Sequence, residues 1–131
     1  SGMRVIAVLS ILLPSAAFAA WQLRDASSEW TFRNAIAGLT ATETAPMYFA
    51  DTSTQAAFHA NADFVWLPYS DETTALRYLE KVGVTHVVLR PDVGERPYLQ
   101  KWIDEGVPGA RRVADVTSAK GVRLQIYELN R

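Results

Sequence analysis

Nineteen consecutive residues near the amino terminus, Val5 to Leu23, carry no ionisable side chain. A run of this kind narrows what the chain can become, because it must lie in lipid, be removed, or be enclosed by a core. As a helix it would extend roughly 28 Å, close to the hydrocarbon thickness of a bilayer. Three readings follow. In the first it is a secretory leader: Met3-Arg4 supplies a short basic start, Val5 to Leu13 the apolar stretch, and Ala17-Phe18-Ala19 a cleavage pattern ahead of Ala20. In the second it is a membrane-spanning helix, with Trp21 at the interface and Arg24-Asp25 back in water. Pro14 would kink such a helix without forbidding it. In the third it is a buried helix or strand of a soluble core. Ser1-Gly2 resembles the remnant of an expression tag, so Met3 is either a native start or the first residue of a fragment. In a fragment, the run is the last span of something larger. The expected organisation is an apolar segment over residues 1–25, transmembrane or signal-like, followed by a soluble α/β domain over residues 26–131.

The charge balance removes one class of partner. The 131 residues include 13 Lys+Arg and 14 Asp+Glu, a net charge of -1, without the basic footprint that phosphate neutralisation demands of a nucleic-acid binder. There is no cysteine, which excludes disulfides and thiolate metal sites but fits either side of a membrane.

Beyond the apolar run, helical and strand periods alternate. Phe32, Ala35, Ile36 and Leu39 recur at helical spacing, with Ser27 or Ser28 available as a cap and Gly38 near the end. Pro46 to Ala50 reads as a strand, and Asp51 to Thr54 as caps for a helix through Gln55-Ala56-Ala57-Phe58. Phe64 to Leu67 reads as a second strand closed by Pro68, and Ser70-Asp71-Glu72 as the start of a helix that buries Leu76, Leu79 and Val82. Gly83 supplies the left-handed stop, and the β-branched run Val84 to Leu89 follows at once, as in strands covered on both faces. Pro97 suits a first helical residue, Leu99, Trp102 and Ile103 share a face, and Gly106 ends that helix. Two strands close the chain, Arg112 to Val116 and Val122 to Ile126, joined by a turn at Ser118 to Gly121. Alternation in the last strand predicts one buried and one wetter face, as for an antiparallel edge. The pattern implies a small Rossmann-like three-layer α/β domain, its sheet mostly parallel with a carboxyl-terminal antiparallel hairpin, preceded by an apolar helix.

Chemistry-bearing motifs are sparse. No glycine-rich turn follows the first strand, no phosphate-binding P-loop exists, and no G-x-S-x-G elbow presents a serine. His59 and His86 have no second ligand at helical spacing, so neither a metal nor a cofactor is expected, and His86 suits a hydrogen-bonded core or edge role. Ligands of open α/β sheets settle at the carboxyl ends of strands, which singles out Asp51, Thr52, Ser53, Tyr69, Ser70, Asp71, Arg90 and Asp92 as possible contacts. Asp51 to Ser53 and Ser70-Asp71 are equally what helix starts need to satisfy their own N–H groups, and capping is the preferred reading. Asp51 and Asp71 would do acid–base work only if folding paired them. The tryptophans Trp21, Trp30, Trp66 and Trp102, one per element, suit core and interface packing.

The order of these features resembles the carboxyl-terminal end of bacterial multi-pass glycosyltransferases, similar to dolichyl-phosphate-mannose–protein mannosyltransferases and dependent on polyprenyl-phosphate sugars. The features are the apolar span, a helix from Glu29 to Leu39, the strands Pro46 to Ala50 and Phe64 to Pro68, the stretch Leu76 to Leu89 containing YLEKVGVTHVVL, and the closing Ile126-Tyr127-Glu128-Leu129. The resemblance implies a soluble domain on the extracytoplasmic, periplasmic side of the cell membrane, following the last span. Its partners would be that membrane, through the upstream apolar segment, and the rest of the enzyme. The family's catalytic acids lie in an early loop with no counterpart here, so no catalytic residue is carried over. The domain is then expected to be accessory to sugar transfer. The alternative from the residues is a stand-alone exported α/β protein with a cleavable leader that binds a small ligand at its strand ends.

Overall fold

A computed structural model describes residues 30–39, 45–91 and 96–129. The expected apolar helix at the start of the chain lies outside these residues. The described chain is α/β, with one five-stranded mixed sheet and four helices. The described residues 30–39 belong to a helix, α1. The order continues β1 (Tyr48–Asp51), α2 (Gln55–Ala60), β2 (Asp63–Trp66), α3 (Glu72–Val82), β3 (His86–Leu89), α4 (Leu99–Glu105), β4 (Ala110–Thr117) and β5 (Arg123–Leu129).

Strands stand in the order β2-β1-β3-β5-β4. β1 pairs in parallel with β2 on one side and β3 on the other, while β5 runs antiparallel to both β3 and β4. After β1 the chain therefore moves outward to β2, then returns across β1 to place β3 on its other flank. Alternating side chains divide the interior into two cores, one on each face of the sheet. On one face Phe49, Val88, Leu124 and Ile126 meet Phe32 and Ile36 of α1 and Ala56, Ala57 and Ala60 of α2. On the other, Ala50, Val87, Leu89 and Tyr127 meet Ala75 and Leu79 of α3 and Leu99 and Trp102 of α4. Every residue of β3 is buried, as a strand covered by helices on both sides requires.

Local chemistry sets the element boundaries. The Asp71 carboxylate accepts from the Thr74 N–H at 2.8 Å and caps α3. At the other end Gly83 adopts φ +83°. Its N–H meets the Leu79 and Glu80 carbonyls, while the Val84 N–H reaches Leu79 at 3.0 Å, closing the helix in the reciprocal pattern that favours glycine.

Several sequence expectations need correction. β5 is not an edge strand: it lies between β3 and β4, and Leu124 to Tyr127 are buried in succession, Gln125 included. The edge is β4, longer than expected and lined with exposed Arg111, Arg112 and Asp115, a charged rim that discourages further strand pairing. Val82 does not join the buried face of α3 and is 40% exposed, because Leu79 already ends the stripe facing the sheet. Pro97 sits in a turn, and α4 starts two residues later. Of the tryptophans among the described residues only Trp102 is in a core; Trp30 and Trp66 are exposed. Trp21 lies outside the described residues.

Candidate functional site

The reversal of strand order around β1 leaves the carboxyl ends of β1 and β3 side by side, the place where open α/β sheets receive ligands. Asp51 ends β1 there and Arg90 follows β3. The two meet as a two-point ion pair: Arg90 Nε donates to Asp51 Oδ1 at 2.9 Å, and Nη2 donates to Oδ2 at 2.9 Å. The Asp51 side chain is wholly enclosed and that of Arg90 is 16% exposed, so the guanidinium lies between the carboxylate and water. The Thr52 N–H donates to Oδ1 at 2.6 Å. Burial pushes the Asp51 carboxyl above the ordinary 3.8, and the bonds from Arg90 and the Thr52 and Ser53 backbone oppose the rise.

The other possible contacts are spread around this pair. Asp51 was expected to serve as a cap for α2, yet its carboxylate goes to Arg90, since a buried charge gains more from a guanidinium than from a short helix start. Ser53 Oγ accepts from the Gln55 N–H at 3.3 Å, and Thr52 contributes its backbone. Asp71 stands in solvent as the α3 cap, held below the ordinary carboxylate value by its bonds with Thr74. Asp51 and Asp71 thus have separate partners and form no acid–base pair. Ser70 Oγ donates to the Asp71 carbonyl at 3.0 Å. Asp92 lies outside the described residues.

Two residues that sequence reasoning missed build the neighbouring wall. Arg96, 4% exposed, donates from Nε to the Leu67 carbonyl at 2.8 Å and stacks its guanidinium 4.0 Å from the centre of the Tyr69 ring. Tyr98 donates its hydroxyl to the Pro68 carbonyl at 2.6 Å, and burial pushes that phenol up to about 12, so it remains a donor. Together they hold the chain where it leaves β2. The hint in the sequence was a charged residue and an aromatic flanking Pro97, a signal too common to single out.

His86 is buried in β3, its Nδ1 2.8 Å from Thr85 Oγ1 and its ring against Phe49, consistent with the core role expected of it. Among the described residues no group of three acidic, histidine or cysteine side chains is placed to hold a metal. A groove of about 580 Å³ opens at the opposite end of the sheet, lined by Leu76, Leu79, Glu80, Val84, Pro108 and Leu129. Among the described residues Glu80 is its one ionisable lining side chain, and the groove lies away from the Asp51–Arg90 pair.

No family model, no curated protein and no solved structure matches the sequence.

Proposed function

We propose that the chain is a non-catalytic, extracytoplasmic accessory domain of an integral-membrane glycosyltransferase that uses a polyprenyl-phosphate sugar, tethered by the apolar run Val5 to Leu23. The observation that carries the non-catalytic part is the Asp51–Arg90 pair. Where an open α/β sheet would present a reactive group, this one has a carboxylate and a guanidinium committed to each other, both carboxylate oxygens being engaged by Arg90 and Oδ1 also by the Thr52 N–H. Of the other described residues at the strand ends, Asp71 caps α3, Ser53 Oγ accepts from the Gln55 N–H and Ser70 Oγ donates to the Asp71 carbonyl. Placement in a glycosyltransferase is supported by the order of elements around YLEKVGVTHVVL described above. A Rossmann-like ancestry for the sheet is part of the same reading, supported by the β2-β1-β3 parallel unit with a helix on each crossover.

The test uses membranes of the native host. They should transfer sugar from a polyprenyl-phosphate donor, the purified 131-residue chain should turn over no such donor, and the native reading frame should continue upstream of Met3 through further apolar spans. Turnover by the isolated chain, or translation that initiates at Met3, overturns the proposal. Cleavage after Ala19 in the native host would favour the exported ligand-binding protein instead.

A further inference from the structure

The two helical layers differ in chemistry. α3 bears Glu72, Arg77, Glu80 and Lys81, and α4 bears Lys101, Asp104 and Glu105, the usual composition of a solvated face. Among the described residues α1 and α2, on the other side of the sheet, carry one charged side chain between them, Arg33, and no acid. The outward positions of that layer are aromatic. Phe58 on α2 is 79% exposed and Trp30 at the start of α1 is 58% exposed. Trp66, 57% exposed, belongs to the same side: Phe64 packs into the α1/α2 core, and Trp66 follows it by two strand positions with the rings 4.7 Å apart. Single exposed apolar residues are ordinary in soluble proteins. Three large aromatics on one layer whose described residues include no acid, opposite a layer dense in charge, call for a covering surface.

The chain itself indicates what that surface is. The uncharged run ends at Leu23, seven residues before Trp30, a separation of at most about 25 Å even when fully extended. A bilayer that holds the run is therefore within reach of α1. Tryptophan is favoured at the headgroup level, where one end of the ring is apolar and the other wet, and Arg33, with its guanidinium 5.6 Å from the Trp30 ring centre, has the sign that anionic headgroups attract. We propose that the α1/α2 layer rests on the membrane, with Phe58, Trp30 and Trp66 at the boundary between headgroups and acyl chains and Arg33 among anionic headgroups. The inference rests on the tethered reading above and adds the orientation of the domain on its membrane.

The absence of cysteine makes the experiment direct. Phe58→Cys and, as the control on the opposite layer, Tyr78→Cys each provide one attachment point for an environment-sensitive fluorophore in the whole chain. Both positions are exposed, so neither substitution removes core packing. The labelled chains are reconstituted in vesicles of phosphatidylcholine and phosphatidylglycerol, floated on a density gradient, and titrated with lipids brominated in the acyl chain. The expected result is flotation of both, with several-fold stronger quenching at position 58 than at position 78. Flotation with equal quenching at the two positions overturns the orientation while leaving the tether intact. A label at 58 shielded from water yet not quenched by brominated lipid also overturns it, because the layer is then covered by protein. Failure of both chains to float overturns the tether and the orientation together.

Discussion

Asp51 and Arg90 show how strongly one pair depends on which partner is removed. Asp51 is wholly enclosed, whereas Arg90 keeps a path to water. Removing one member of a buried ion pair typically costs about 3–5 kcal/mol, because the survivor is left uncompensated. The survivor in Asp51→Leu is a guanidinium that can turn toward solvent; in Arg90→Met it is a carboxylate that cannot. Arg90→Met is therefore expected to lose more stability at neutral pH than Asp51→Leu, and the double variant less than the sum of the two, as urea unfolding of all three would reveal. The pH dependence follows from the protons bound. Burial already places the folded Asp51 carboxyl above its ordinary 3.8, so between those values the native state binds more protons than the unfolded chain and stability falls as pH rises. Without Arg90 the opposing attraction is gone and the native value climbs further. The deficit of Arg90→Met relative to the parent should then shrink on acidification toward the ordinary 3.8; a deficit that is constant or grows would contradict an enclosed, uncompensated carboxylate.

At the scale of elements, α3 and its two ends are the part whose sequence and structure agree best. Gly83 at φ +83° occupies a conformation that costs a residue with a Cβ about 1–2 kcal/mol. Gly83→Ala is expected to lower the unfolding free energy by about that amount and Gly83→Asn by less, since asparagine is tolerated at such caps. Asp71 makes a pH-dependent prediction of the opposite sign to that of Asp51. Its carboxyl is held below 3.8 by bonds with Thr74, so its stabilising effect is complete above 3.8 and is lost as pH falls through the lower native value. Asp71→Asn retains a cap oxygen but cannot titrate there, and its acid melting curve should lack this component. These features were legible because caps, glycine stops and β-branched runs act within a few residues. What the sequence did not reveal was non-local. Asp51 and Arg90 are 39 residues apart, and nothing in either segment announces the partner. β5 alternates as an edge strand would, yet Gln125 is buried because β4 pairs along its far side, a fact of pairing and not of composition. Trp30 and Trp66 carry the same apolar signal as Trp102, and only the helix and strand positions they occupy distinguish an exposed ring from a core one.

Across the whole molecule the sheet divides at one seam. β1 and β3 share two registered pairs, Phe49 with His86 and Ala50 with Val87, whereas β3 with β5 and β1 with β2 share four each and β4 with β5 seven. Both ends of that short seam are bridged by other means. At the amino end the Tyr48 N–H donates to Thr85 Oγ1 at 2.9 Å and the Thr85 N–H to the Tyr48 carbonyl at 3.0 Å. At the carboxyl end the bridge is the Asp51–Arg90 pair. This gives the pair a mechanical role: it joins the β1–α2–β2 unit to the half of the sheet built on β3, β5 and β4. Proteins open in cooperative units whose free energies differ, and a unit attached through few bonds opens first. Native-state hydrogen exchange should therefore find the amides of β1, α2 and β2 exchanging through a common opening of lower free energy than those of β3 and β5. Asp51→Leu removes a contact that is broken in that opening and in global unfolding alike, so it should lower both free energies by a similar amount and keep the gap between them. If instead all five strands exchange at one free energy, before and after the substitution, the sheet opens as one unit and the pair is an ordinary core contact.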